Sequence, residues 1–412
     1  MKVLIAHPGK QHSYRTATAL KQGKLLDAYV TTVYYKKNNL TSKIFHFLKE
    51  KDLNKAKLRR CENLDDCEVI QKHEFLGLII LLVMRLPFKR LCNLLNRLLI
   101  LQFGKSIAKL AIKRQVDAVI MYDNTAVPCF SYLQKHAPHI KRILDASTVN
   151  RLYIRKVYEK DMEAGNHLIF KKQLPFLWKH SRNRLYEKEI KLSDFILVAS
   201  EFVKKSYMYS HVPEEKLIKI PYGVDLSRFK WSMHKKQSDK IHLIYVGQIT
   251  YYKGIHHLLP IIKEHYRDKV TLTLVGKYDV NDFLYKEYCT APNIKFIGYV
   301  TNDKLSQYYQ QADAFIIPSL GEGFGLVILE ALSTGLPVLT SDSTGGNDAI
   351  VNGYNGYVFK AGDDKDMIDK IDTLIHNVSS LETMSENARA TVLNYTWEQY
   401  NKHILNFINK LK

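Results

Sequence analysis

Short apolar runs recur along the chain, each followed by a polar loop and then a stretch with helical spacing. Residues 2–6 (KVLIA) have a buried-strand pattern that ends in the loop HPGKQHS, and residues 14–21 follow with helical character. Strand, glycine-bearing loop and helix form the opening of a nucleotide-binding βαβ unit. Runs at 118–121, 142–144 and 195–198 repeat the pattern, and the rhythm restarts at 241–246, 270–275, 294–297, 314–317 and 337–340. Strands alternating with helices predict an α/β chain whose parallel sheets are covered on both faces. Four of the last five strands run into Gly247, Gly276, Gly298 or Pro318. In open parallel sheets the ligand crevice lies at the carboxyl ends of strands, where glycine lets a ligand approach the backbone.

At 412 residues the chain exceeds one ordinary core, so two domains are expected, over 1–205 and 206–390. Pro221, Tyr222, Gly223 and the polar stretch 230–240 read as a linker. Residues 391–412 include one amphipathic helix, with Tyr400, Ile404, Phe407, Ile408 and Leu411 at helical spacing.

Charge separates the halves. The net +20 lies wholly in residues 1–205, which hold 39 Lys and Arg against 18 Asp and Glu; residues 206–412 hold 22 against 23. Solubility alone does not require that bias to stop at mid-chain, so an anionic partner for the first half is expected. Residues 75–103 interleave Leu, Ile and Phe with Arg85, Lys89, Arg90 and Arg97. Such a segment suits a helix lying in an anionic membrane interface, or two core helices broken at Pro87. Its apolar run, 75–84, is about half the ~20 residues a spanning helix needs. The basic half shows no aromatic platform or module for nucleic acid, so no nucleic-acid partner is expected. Five cysteines without a C-x-x-C pair predict neither a disulfide framework nor zinc, and fit a reducing compartment.

The densest chemical signal is residues 318–330, PSLGEGFGLVILE. A strand ends at Pro318, a glycine-rich loop follows, and a helix begins near Leu326. The head of such a helix offers unpaired amides and the positive end of a dipole, which suits a diphosphate. Glu322 on the loop and Glu330 two turns into the helix can each accept hydroxyl hydrogen bonds. The plainer alternative is that Glu322 caps the helix and Glu330 is solvated. Lys253, just after a strand–glycine turn, is a ready phosphate ligand or a surface lysine. Asp123 and Asp145 end strands; each is placed either to reach an acceptor hydroxyl or to make local turn hydrogen bonds. His7 and His12 on the first loop have the same two readings. Asp364-Lys365-Asp366 opens a helix, where carboxylates cap amides, and is not read as a metal site. No metal is expected.

With the E-x7-E element, SEFV (200–203), PYGVD (221–225), VGQITYYKGI (246–255), FIGYV (296–300), GG-x-D-x-I-x-x-G (345–353) and YTW (395–397), the chain resembles the retaining GT-B glycosyltransferases of family 4. The resemblance implies two Rossmann-like domains facing across a cleft. The first would take the acceptor and the second the nucleotide-sugar, with a last helix crossing back to the first domain. It implies donor contacts from Gly9, Gln248, Lys253, Tyr299, Val300, Glu322, Gly323, Phe324, Gly325, Leu326 and Glu330. Lys253 would pair with the diphosphate, Glu330 would hold the ribose hydroxyls and Glu322 the transferred sugar. Catalytic roles fall to Glu322 and Lys253, with Asp123 and Asp145 as acceptor-side candidates. The family usually carries Arg where Gln248 stands, and Lys10 or Arg15 is the available substitute cation.

The expected activity is metal-independent, retaining transfer of a hexose or N-acetylhexosamine from a UDP- or GDP-linked donor, with no other cofactor. The expected acceptor is a lipid-linked or cell-surface glycan precursor. The expected location is cytoplasmic, peripheral on the inner face of the cell membrane. A nucleotide-sugar epimerase or hydrolase of the same fold, or a non-catalytic nucleotide-sugar-binding protein, are the alternatives.

Overall fold

The computed structural model describes residues 1–9, 12–36, 39–45, 53, 57, 59–166, 169–229, 231 and 239–411. Most of the expected linker 230–240 lies outside them, as does Lys10.

Two parallel sheets carry the fold. The first has seven strands in the order β3 (Val69–Gln71), β2 (Leu26–Thr31), β1 (Val3–Ala6), β4 (Ala118–Tyr122), β5 (Lys141–Ala146), β6 (Phe195–Val198) and β7 (Leu217–Lys219). The second has six, in the order β10 (Ile294–Gly298), β9 (Val270–Val275), β8 (Ile241–Val246), β11 (Ala314–Ile317), β12 (Val338–Ser341) and β13 (Gly356–Phe359). Every neighbouring pair is parallel, for example Ile5 opposite Ile120 and Leu243 opposite Leu272. Both faces are covered by helices, which is why β1, β4 and β11 are buried at every residue. Each sheet reverses direction of strand progression at its first strand, β1 or β8. The crevices that open there at the carboxyl ends are where a doubly wound sheet binds ligands.

The nine apolar runs read as strands in the sequence are strands. The first sheet continues through β7 to Lys219, past the expected domain limit at 205. A three-residue edge strand has too little apolar length to announce itself.

The helix Trp397–Lys410 returns to the first domain and packs on the helix Ser13–Gln22. It buries Tyr400, Ile404, Phe407 and Ile408, each contributing ~1.5–3 kcal/mol. The Tyr400 hydroxyl meets Thr16 Oγ1 at 2.7 Å. Where the chain passes between domains, Val224 N–H donates to Tyr395 O at 2.9 Å, so the outgoing and returning segments are tied together.

No helix of the described residues is long and apolar enough to cross a membrane. The segment 75–103 forms the helix Glu74–Val83 and the first half of the helix Lys89–Arg114. Leu78, Ile80, Leu99 and Phe103 are buried, but Phe75, Leu82, Met84, Leu86, Phe88, Leu91, Leu94, Leu98 and Leu101 are exposed. Leu91, Leu94, Leu98 and Leu101 recur every three or four residues and so share one face. All five cysteines are free thiols.

Candidate active site

The loop after β11 runs through Pro318 to Gly325, which adopts a left-handed φ of 81° and opens the helix Leu326–Thr334. No side chain among the described residues caps this helix, so its leading amides remain available to an anion. Lys253 sits on the turn after β8, and its Nζ is in direct contact with Glu322 Oε2. The two are brought together by Gly254. This residue has φ 69°, and a Cβ there would lie 1.9 Å from Pro318 O. Only glycine lets the β8 turn press against the start of the β11 loop. Gln248, on the same turn, accepts from the Tyr252 hydroxyl through Oε1.

Glu330 lies inside the helix and accepts from the Tyr309 hydroxyl at 3.1 Å. Burial pushes its carboxyl above the ordinary range, and that hydrogen bond pulls partly the other way. Tyr299 is well exposed beyond β10, beside the Lys277 ammonium, while Val300 is half-buried. The second-domain positions named from the sequence thus lie on the turns after β8, β10 and β11 and in the helix Leu326–Thr334.

The first domain meets that loop closely. A Cβ on Gly323 would lie 2.3 Å from Ser147 O, and Ser200 Oγ donates to Gly323 O at 2.8 Å. Ser147 and Thr148 follow β5, and their hydroxyls donate to the two oxygens of Asp123, each at 3.1 Å. Asp123 is buried, which raises its carboxyl while the two hydroxyls lower it. It therefore shapes the loop that abuts Gly323. Asp145 Oδ2 is 3.0 Å from His12 Nε2. Burial works against a proton on His12, but Asp145 outweighs it and holds the imidazole above its usual value. Tyr222 OH is 3.3 Å from the same His12 nitrogen, and its ring lies 6.2 Å from that of Phe324. His7 accepts from the Gly9 amide at 3.0 Å through Nδ1, and burial lowers its pKa. Arg15 stacks over the Trp397 ring at 4.8 Å, which turns it toward the returning segment.

Sequence reasoning did not pick out Ser147 and Thr148, although two hydroxyls directly after a strand are a signal. It also missed a cavity of about 1020 Å³ in the first domain, lined by Arg97, Leu101, Lys105, Tyr132, Arg182 and Glu189 among others. The cavity reaches Asn124, next to Asp123, and Arg151. Glu189 accepts from the amides of Asn124 and Ala126 at 2.8 and 2.6 Å. Burial nevertheless pushes its carboxyl up to about 8. Three further residues, distant in sequence, converge at the domain boundary: Asp161, His256 and His257.

Asp364-Lys365-Asp366 does open a helix, Asp364–His376, but the cap is Asp363, which accepts from Asp366 N–H at 3.1 Å. Asp364 instead holds His257 Nδ1 at 2.7 Å.

Two facing Rossmann-like domains, glycine turns at the strand ends and an uncapped helix head beside a Lys–Glu pair define a GT-B protein. Residues 229–391 match the family model described as Glycosyl transferases group 1. The chain is 31% identical over 219 residues to the capsular polysaccharide biosynthesis glycosyltransferase CapM of Staphylococcus aureus, covering 48% of this chain and 57% of the relative. It is 31% identical over 173 residues to the sulfoquinovosyl transferase SQD2 of Arabidopsis thaliana, covering 41% of this chain and 33% of that one. The chain therefore spans about half, or less, of the length of these curated relatives. In three dimensions it is similar over 100% of both chains to the lipopolysaccharide outer core galactosyltransferase WaaB, with TM-score 0.67 and 15% identity. It is likewise similar to Anabaena HepE in complex with UDP and glucose, with TM-score 0.62 and 15% identity over 100% of both chains. These likenesses establish the GT-B fold.

Proposed function

We propose that the protein is a retaining glycosyltransferase that moves a hexose or N-acetylhexosamine from a UDP- or GDP-linked donor to a hydroxyl of an anionic, lipid-linked glycan precursor. The observation that carries this reading is the Lys253–Glu322 pair at an uncapped helix head, facing the first-domain loop shaped by Asp123. The matched group 1 glycosyl transferase region spans every second-domain residue in that arrangement.

A donor diphosphate at the helix head takes the Lys253 ammonium from Glu322. The freed carboxylate then accepts from hydroxyls of the sugar, while Glu330 accepts from the ribose. Charge that builds on the leaving diphosphate meets Lys253 and the amides of Phe324 and Gly325. Front-side attack fits a site in which, among the described residues, no carboxylate is assigned as a covalent nucleophile. The acceptor oxygen bonds to the anomeric carbon on the face that the diphosphate leaves. The bond from that carbon to the phosphate oxygen breaks, and the acceptor proton passes to the departing oxygen. Contact between the domains at Gly323 excludes water that would hydrolyse the donor.

The acceptor side of the proposal rests on the first-domain cavity and its rim. Arg97, Lys105 and Arg182 offer cations for a lipid phosphate, and the neighbouring exposed leucines suit an acyl interior. A relative named for capsular polysaccharide biosynthesis agrees with a glycan precursor as acceptor. On this reading the protein works at the cytoplasmic face of an anionic membrane.

The test is transfer from a panel of UDP and GDP sugars, with Lys253→Ala and Glu322→Gln beside wild type. Both variants should lose ~10²–10³ in kcat with the fold intact by circular dichroism. Unchanged transfer in both would remove the site from the chemistry.

A further inference from the structure

Asp161 ends the helix Arg151–Asp161 of the first domain, and His256 and His257 begin the helix Ile255–Glu264 of the second. Asp161 Oδ2 lies 3.1 Å from His256 Nε2, and Oδ1 lies 2.8 Å from His257 Nε2. One ligand atom from each residue falls within 4.8 Å of the others. We propose that these three side chains form a binding site for a divalent transition metal of zinc-like chemistry that ties the two domains together.

The donor set is two imidazoles and one carboxylate, which suits zinc and leaves a fourth position for water. The side chains of Asp161, His256 and His257 are only 6%, 5% and 12% exposed, so a bound ion is shielded from competing solvent. Asp364 supplies the outer carboxylate: its Oδ1 holds His257 Nδ1 at 2.7 Å. With a metal bound, that bond would hold the ring proton on Nδ1 and leave Nε2 to the ion, in place of the Nε2–H that otherwise donates to Asp161, as in carboxylate–histidine–zinc arrangements. His256 is held by rings rather than by a second carboxylate. It stacks on Tyr251 with centroids 4.9 Å apart and meets the edge of Phe170 at 6.0 Å. Charge also balances, since Asp161 and Asp364 together match a dication. Metal bonds of ~2.0–2.1 Å need ligand atoms roughly 3.3 Å apart, so the two carboxylate–imidazole spacings have to widen slightly, while the widest spacing in the set, up to 4.8 Å, has to close.

The position gives the site a consequence. Lys253 lies three residues before His256, across the left-handed Gly254, and the helix that ends at Asp161 begins beside the loop that meets Gly323. Occupancy holds together two elements that flank the cleft, without placing the ion on the donor. The inference stands whether or not the proposed transfer reaction is correct.

The experiment uses the full chain stripped with a chelator and titrated with zinc alone against a chromophoric competitor. Bound metal is counted by mass spectrometry after gel filtration, and melting is followed with and without zinc. Wild type should retain one zinc per chain and melt at a higher temperature with it, since an ion that binds only the folded state stabilises it. Asp161→Asn and His257→Gln should retain none. Asp364→Asn, at an exposed position that leaves the buried ligands in place, should bind ~10–100-fold more weakly. Metal-free circular dichroism establishes that each variant is folded. Absence of stoichiometric zinc in wild type would overturn the proposal and leave a proton-bridged contact between domains. Zinc bound equally by wild type and the folded variants would also overturn it.

Discussion

At the scale of single residues, Gly254 and Glu189 give the sharpest expectations. Gly254 combines φ 69° with an approach to Pro318 O that admits no Cβ. Gly254→Ala should cost ~2–4 kcal/mol, read as a lower melting temperature, because strain and overlap act together. It should also raise the donor KM, since the turn that positions Lys253 is displaced. An unchanged KM would mean that the turn tolerates movement. Glu189 makes a pH-dependent prediction. Its folded-state value of about 8 lies above the ordinary 4.5. The folded state therefore binds the proton more tightly, and stability is lost as pH rises between those values. Glu189→Gln cannot ionise, so wild type should lose ~2–4 kcal/mol relative to it from pH 4.5 to 8 in urea titrations. The comparison uses the slope, so any fixed cost of placing an amide against two backbone N–H groups cancels. Parallel slopes would show that Glu189 stays ionised on its two amide donors.

At the scale of elements, a strand was legible where four or more apolar residues stand together. Strands β1, β4, β6, β8 and β11 are of this kind, and each is buried almost throughout. Strands β3 and β7 escaped notice because they are three-residue edges with mixed residues, and β2 because Asp27 and Thr31 interrupt its apolar run. The segment 75–103 was legible as apolar and cationic, but not as partly buried. The structure divides it: Leu99 and Phe103 face the core, while Leu91, Leu94, Leu98 and Leu101 face solvent. A variant with Leu91→Ser and Leu94→Ser removes mainly exposed apolar surface, so its stability in urea titrations should stay within ~1 kcal/mol of wild type. Its flotation with vesicles of phosphatidylglycerol should fall, whereas Arg90→Gln with Arg97→Gln should weaken binding by ~1 kcal/mol per charge lost. Binding indifferent to both changes would mean that the exposed face meets something other than an anionic bilayer.

At the scale of the whole molecule, the second-domain half of the candidate site was readable because its residues lie on strand-end turns and the helix that follows one of them. In the first-domain half, Asp123 and Asp145 were readable as strand-end carboxylates, but their partners were not. Asp123 reaches Gly323 only through Ser147 and Thr148, and Asp161 is about 95 residues from the histidines it meets. Local pattern carries no record of such pairings, which depend on how the domains dock. The docking itself converges on Asp348, in the GG-x-D segment. Its carboxylate accepts from Glu201 N–H with both oxygens at 3.1 Å, at the head of the helix Glu201–Tyr209, and pairs with Lys219 at 3.1 Å. Its carbonyl accepts from the Tyr395 hydroxyl at 2.6 Å. One side chain thus joins the second domain to the last helix and last strand of the first, where the helix dipole favours an anion. Lys219 is well exposed, so the ion pair is screened, and the buried bonds to the helix head carry most of the effect. Asp348→Ala should lower stability by ~1–3 kcal/mol. Hydrogen exchange should speed up at the amides of residues 201–203 while β8 and β11 stay protected, because the loss is at the joint and not in either core. The variant should still show a thermal shift with UDP or GDP, whose proposed contacts in the second domain are untouched, but transfer should fall as the first-domain loop separates from Gly323. Unaltered exchange at residues 201–203 would show that the domains are held together elsewhere.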